Sequence, residues 1–114
     1  MIVSYKHRFI FLKAAKTGGT SVELALSRVC GPDDVLTPLN PVEEKQRRGA
    51  NARNYAMGLA RLGIRLPGEI RHNFPRLSGF YHHMPARDVR RLVGDEVWNG
   101  FYKFTVERNP WDRQ

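Results

Sequence analysis

The chain has 114 residues, of which 41% are hydrophobic, and this length favours one domain with one modest core. Nineteen Lys and Arg against eleven Asp and Glu give a formal net charge of +8. This charge favours anionic partners, without choosing among nucleotides, nucleic acids, acidic polysaccharides and anionic membranes. The single cysteine, Cys30, excludes an internal disulfide framework and is expected to be a small buried thiol.

The first predicted strand is the apolar run 8–13, whose aromatic-rich pattern is typical of a strand buried on both faces of a parallel sheet. A glycine-rich turn follows at 16–21, and apolar residues then recur at helical spacing from Val22 until Gly31. Segment 8–31 is therefore predicted to be a strand, a loop and a helix.

The middle of the chain is strongly basic. Residues 45–76 hold eight Lys or Arg and one acid, Glu69, and so account for seven of the eight net charges. A short strand is expected at 35–36, and glycines interrupt the helical pattern of 55–62. Segment 42–78 is interpreted as a basic stretch that faces the acceptor substrate, with a solvated surface as the alternative.

The last segment, 79–114, is predicted to contain one helix and one strand. The helix begins near Pro85 and ends at Gly94. In the stretch 102–107, Tyr, Phe and Val alternate with more polar residues, which predicts a second strand. Pro110 ends this strand because proline cannot donate to a ladder.

The loop after the first strand has the composition of a phosphate site. Glycines let backbone N–H groups approach closely, the helix start adds partial positive charge, and Lys16 supplies a full one. Lys16 precedes the glycines, which disfavours an ordinary nucleoside-triphosphatase loop. The alternative is a plain glycine turn capped by Thr20 or Ser21. The loop consists of Lys16, Thr17, Gly18, Gly19, Thr20 and Ser21.

This loop resembles that of the sulfotransferases that use 3′-phosphoadenosine 5′-phosphosulfate (PAPS), in particular their carbohydrate-directed branch. The resemblance implies that residues 16–21 bind the 5′-phosphosulfate and that Lys16 stabilises charge on the bridging oxygen as the sulfuryl group leaves. Segment 106–113 is similar to the family's strand that ends in Arg-Asn-Pro. The resemblance gives Arg108 the 3′-phosphate, which its planar fork can bind bidentately. By itself, such an arginine would be a solvated charge.

Two adjacent histidines precede the arginine strand, where some polysaccharide sulfotransferases of this family place a catalytic histidine. His83 is the first choice for the base that activates an acceptor hydroxyl, and His82 the second. The alternative is a pair of surface or capping histidines before the helix. Glu23 and Glu107 are weaker candidates for the base.

The resemblance implies an α/β domain with a parallel sheet, flanking helices and a P-loop-like PAPS-binding core. The implied reaction transfers a sulfuryl group from PAPS to a hydroxyl, on a carbohydrate that the basic segment suggests is acidic, and needs no metal. The family's second 3′-phosphate ligand, a serine, would lie beyond Gln114. Residues 1–114 are therefore expected to be part of a sulfotransferase domain, truncated at its C-terminus, with an uncovered sheet edge that favours association.

The sequence also allows two other functions. The segment 45–76 would suit a nucleic-acid-binding module, although Tyr55 and Phe74 are its only aromatic residues and few for base stacking. An inactive sulfotransferase fragment is the third reading. No run resembles a signal peptide or a membrane span, which predicts a cytoplasmic protein or one bound to the cytoplasmic side of a membrane.

Overall fold

A computed structural model describes residues 1–13, 19–39, 41–47, 51–81 and 83–106 of the chain. Four strands form one sheet: β1 (Ile2–Ser4), β2 (Phe9–Phe11), β3 (Val35–Leu36) and β4 (Tyr102–Phe104). Their order in the sheet is β3-β1-β2-β4. The α-helices are α1 (Gly19–Ser27), α2 (Pro41–Gln46), α3 (Gly68–Asn73), α4 (Pro75–Ser78), α5 (Ala86–Val93) and α6 (Asp95–Gly100), and a 3-10 helix spans Gly58–Leu62. The protein is therefore a small α/β domain.

The sheet is mixed, whereas the sequence predicted a parallel one. β1 pairs with both β2 and β3 in the antiparallel direction. The connection from β1 to β2 has only four residues, too few for the crossover that parallel strands require. Arg8 completes this turn with a positive φ of 59°. The strand that was predicted to come first is thus β2, the second strand in chain order.

The parallel prediction is correct for β2 and β4 alone. Phe11 pairs with Phe104, and the amide of Leu12 donates to the Phe104 carbonyl at 2.9 Å. The chain between these two strands contains α1 to α6, and it is long enough for a crossover connection.

Successive residues of a strand point to opposite faces of the sheet, and both faces are covered. Ile10 faces a cluster that includes Phe80 and Val89 of the C-terminal half. Phe11 faces the other cluster, against which Val22 of α1 packs. Helix α1 therefore covers one face, and the segment around α5 covers the other.

A carboxylate fixes the β1–β2 turn from outside the hairpin. The buried Asp34 accepts hydrogen bonds from Ser4 Oγ at 2.7 Å and from the amides of Tyr5, Lys6 and Gly31 at 2.8, 3.2 and 2.8 Å. Burial alone would raise the pKa of Asp34, but these hydrogen bonds outweigh it and hold the pKa below its usual range.

Residues 58–78 form a lobe, called the basic lobe below. Its two ends meet where the amide of Phe80 donates to the Tyr55 carbonyl at 2.7 Å. Gly79, with a φ of 82°, is required there because a Cβ atom would collide with the Tyr55 carbonyl oxygen. Within the described parts of the chain, no helix has the length and apolar character needed to cross a bilayer.

Candidate functional site

The carboxyl ends of β2 and β4 lie side by side at one edge of the sheet. The pairing of Phe11 with Phe104 brings the residues that follow each strand out at that same edge. Ligands of open α/β sheets bind at the carboxyl ends of parallel strands. Some of the predicted site residues lie outside the described ranges, namely Lys16, Thr17, Gly18, His82, Glu107 and Arg108.

The predicted order of strand, loop and helix is confirmed on both sides of the loop. β2 ends at Phe11, and α1 begins at Gly19. Ser21 lies exposed in the first turn of α1, and the side chain of Thr20 falls outside the description. The start of a helix carries partial positive charge from its unpaired N–H groups, so this end of α1 favours an anion.

A buried ion cluster fastens α1 to the end of β2. Glu23 of α1 is fully buried, and its Oε2 lies 3.1 Å from Nζ of Lys13. Its Oε1 lies 2.7 Å from the α-amino group of Met1 and 3.2 Å from Nη2 of Arg47. Burial lowers the pKa of the Met1 amino group to about 6, against the attraction of Glu23. Glu23 therefore anchors the helix and is not open to an acceptor hydroxyl.

His83, the first choice for the catalytic base, lies beside the end of β2. Its Nδ1 is 3.1 Å from the carbonyl oxygen of Lys13, and its ring is exposed. A carbonyl oxygen can only accept, so Nδ1 carries the hydrogen of this bond. In the neutral ring, Nε2 is then the basic nitrogen.

Tyr81, which the sequence did not single out, lies two residues before His83 along the chain. Tyr81 is half-buried, and the guanidinium carbon of Arg71 lies 5.4 Å from the centre of its ring. Burial raises the pKa of Tyr81, and the charge of the buried Asp88 adds to the effect. Tyr81 therefore stays protonated at neutral pH. The one sequence signal for the contact between Tyr81 and Arg71 is that an aromatic residue precedes two histidines.

The basic segment 42–78 does not present all its arginines to solvent. Arg47 is buried, and its Nη1 lies 2.7 Å from Glu44 while Nη2 meets Glu23. Arg53 donates through Nη1 to the Gly31 carbonyl at 3.2 Å. Arg48 lies outside the described residues. Within this segment, Arg47 thus completes a buried ion pair and is not exposed to a substrate. The exposed arginines of this segment are Arg61, Arg65, Arg71 and Arg76.

The single cysteine, Cys30, is half-buried. Burial, with a contribution from the charge of Asp34, raises the pKa of the Cys30 thiol to about 11. The thiolate, which is the reactive form, is therefore scarce at neutral pH. Among the side chains that the structure describes, no three of His, Cys, Asp or Glu come together as a metal site would require.

Comparison of the chain with known proteins finds no match among family models, curated proteins or solved structures.

Proposed function

We propose that this protein binds PAPS and transfers its sulfuryl group to a hydroxyl, on a carbohydrate acceptor. The observation that carries the proposal is the parallel pairing of β2 and β4, the strands that precede the two phosphate motifs. Neighbouring strands lie only about 4.8 Å apart. Loops that leave their carboxyl ends can therefore reach the two phosphate-bearing positions of a single nucleotide.

The 5′-phosphosulfate belongs to the loop between β2 and α1. Gly18 and Gly19 allow close approach of backbone N–H groups, the start of α1 adds partial positive charge, and Lys16 adds a full one. The 3′-phosphate belongs to Arg108, two residues beyond the described end of the chain after β4. Thr17, Thr20 and Ser21 supply hydroxyl donors to the same loop.

His83 takes the role of general base. Nε2 accepts the proton of the acceptor hydroxyl as the hydroxyl oxygen bonds to sulfur and the bond from sulfur to the bridging phosphate oxygen breaks. Lys16 stabilises the negative charge that develops on that oxygen. The products are the sulfated acceptor and adenosine 3′,5′-bisphosphate, and the proton is left on His83. The hydrogen bond from Nδ1 to the Lys13 carbonyl fixes the ring in the tautomer that this step needs.

The experiment is a transfer assay with radiolabelled PAPS and a panel of neutral and acidic polysaccharides. We expect label on at least one acceptor and release of an equal amount of adenosine 3′,5′-bisphosphate. The matched variant is His83→Asn, in which the amide can still donate to the Lys13 carbonyl but offers no base. Transfer by His83→Asn at the parent's rate would remove the histidine from the mechanism. Absence of labelled product on every acceptor would contradict the proposed reaction.

A further inference from the structure

The basic lobe carries most of the large apolar side chains that the described residues expose. Leu62 is 75% exposed and Phe74 is 60% exposed. Nine large hydrophobic residues are exposed in the described ranges, and five of them fall between positions 59 and 74. They are Leu59, Leu62, Ile64, Ile70 and Phe74. Exposed apolar side chains are normally scattered singly over a protein surface. Their concentration here marks the lobe as an interaction surface.

Arginines alternate with these apolar side chains. Four exposed arginines lie in the lobe, and each is within two positions of an exposed Leu, Ile or Phe. The lobe contains no lysine, and its single acid is Glu69. Guanidinium groups bind phosphate oxygens through two parallel hydrogen bonds, which an ammonium group cannot do.

The two kinds of side chain meet around shared clefts. Ile64, Arg65 and Arg71 line one cleft of about 550 Å³, and Phe74 and Arg76 line another of about 660 Å³. The lobe is also closed at its base by the contact of Tyr55 with Phe80. Each cleft therefore holds an apolar side chain and an arginine of the lobe, and the second cleft is shared with Arg90 and Asp95.

We propose that the basic lobe binds the surface of a lipid bilayer that contains anionic phospholipids. Leu62, Ile64 and Phe74 enter the boundary between headgroups and acyl chains, and the neighbouring arginines reach back to the phosphates. A bilayer surface can bind both kinds of side chain, because its acyl chains and its phosphate groups lie within a few ångströms of each other.

Other anionic partners fit these residues less well. Leu and Ile side chains offer no stacking surface to nucleic-acid bases, and Phe74 is the only aromatic residue of the lobe. Arginine is common at protein interfaces as well, so a partner protein is distinguished from a bilayer by the vesicle experiment below. The proposal does not depend on the sulfuryl-transfer reaction, because none of its residues belongs to the nucleotide motifs.

The test is flotation of the 114-residue chain with vesicles of phosphatidylcholine, alone or with about 30 mol% phosphatidylserine. We expect binding to the anionic vesicles only, with a steep fall as salt is raised above about 0.1 M. Arg65→Gln and Arg76→Gln should each lower the partition coefficient about fivefold. Leu62→Ser and Phe74→Ser should each lower it about tenfold or more.

Matched controls come from outside the lobe. Val42→Ser removes an exposed apolar side chain from α2, and Arg28→Gln removes an exposed charge after α1. Both variants should partition like the parent, and thermal melts should show that every variant is folded. Equal binding to neutral and anionic vesicles, no binding to either, or unchanged partition of the lobe variants would overturn the proposal. If the chain self-associated without binding vesicles, and Leu62→Ser abolished that self-association, the lobe would instead be a contact between copies of this chain.

Discussion

Nδ1 of His83 lies 3.1 Å from the carbonyl oxygen of Lys13, although 70 residues separate the two along the chain. Lys13 is the last described residue before the lysine-glycine loop, and it also pairs with the buried Glu23 of α1. The proposed base and the proposed phosphate loop are therefore joined through one residue at the carboxyl end of β2.

Replacement of His83 should abolish transfer and spare the nucleotide. We expect His83→Ala to lower kcat by about 10²-fold or more, because a positioned general base contributes at least that factor. Adenosine 3′,5′-bisphosphate should bind as it does to the parent, since the base contacts the acceptor. The measurement is kcat from labelled PAPS together with calorimetric titration of the nucleotide.

His82→Ala is the control for this experiment, and it should have a smaller effect. The reverse ranking of the two variants would assign the base to His82. Full activity in both would make the histidines structural.

Lys16→Ala should reduce the rate more than the affinity. The charge that Lys16 neutralises grows as the bond to sulfur breaks, so the lost interaction is stronger in the transition state than in the ground state. We expect kcat to fall by a larger factor than the binding constant for PAPS. Lys45→Ala, in α2, is the matched control. A loss confined to affinity would limit Lys16 to ground-state binding.

Glu23→Gln should destabilise the protein. Its carboxylate lies 3.1 Å from Nζ of Lys13 and 3.2 Å from Nη2 of Arg47, and the neutral amide would remove this counterion from both cations. Breaking a buried ion pair from one side costs about 3 kcal/mol or more of the free energy of unfolding. Chemical denaturation measures this loss. The exposed Glu96→Gln should change stability little, and an equal loss in both variants would contradict the anchoring role.

The sequence predicted the elements whose apolar pattern is long and regular. The strand before the loop, the helix after it, the helix that ends at Gly94 and the strand before Arg108 are all present, as β2, α1, α5 and β4. The short strand at Val35–Leu36 is also confirmed. These elements establish the parallel pair that positions the candidate site.

The sequence did not predict β1, and this omission made the sheet appear wholly parallel. β1 is three residues long, too short for a recognisable alternation. Its turn to β2 ends in Arg8 at positive φ, a position where a Gly or Asn would have signalled the hairpin. Without that signal, nothing in the sequence separated β1 from an unstructured start.

The burial of Arg47 could not be predicted for a different reason. Its buried partner, Glu23, lies 24 residues earlier in the chain, so the pair forms only when α1 and α2 are both placed. A count of charges in 45–76 treats Arg47 like its exposed neighbours, because local sequence does not record a distant counterion.

Asp34→Asn should destabilise the protein by at least about 2 kcal/mol, because one acceptor oxygen becomes a donor that faces other donors. The pKa of Asp34 is lower in the folded protein than in the unfolded chain. Its contribution is therefore complete above the unfolded pKa of about 4 and is lost as the pH falls through the folded pKa. Unfolding free energies of parent and variant should thus converge as the pH is lowered from about 6 to about 3.

The exposed neighbour provides the control for this prediction. Asp33→Asn should follow the parent in stability at neutral pH and in its acid dependence. A constant difference between Asp34→Asn and the parent across the whole pH range would show that ionisation of Asp34 does not stabilise the fold.

The central claim, that the loops after β2 and β4 hold the two phosphates of one nucleotide, is tested most directly by calorimetric titration with three ligands. These are adenosine 3′,5′-bisphosphate, adenosine 5′-phosphate and adenosine 3′-phosphate, each measured against the parent, Lys16→Ala and Arg108→Ala. Lys16→Ala should weaken only the ligands with a 5′-phosphate, and Arg108→Ala only those with a 3′-phosphate, each by about tenfold or more because these are charge-assisted hydrogen bonds. Affinities that do not depend on either side chain, or losses that ignore which phosphate is present, would contradict the account.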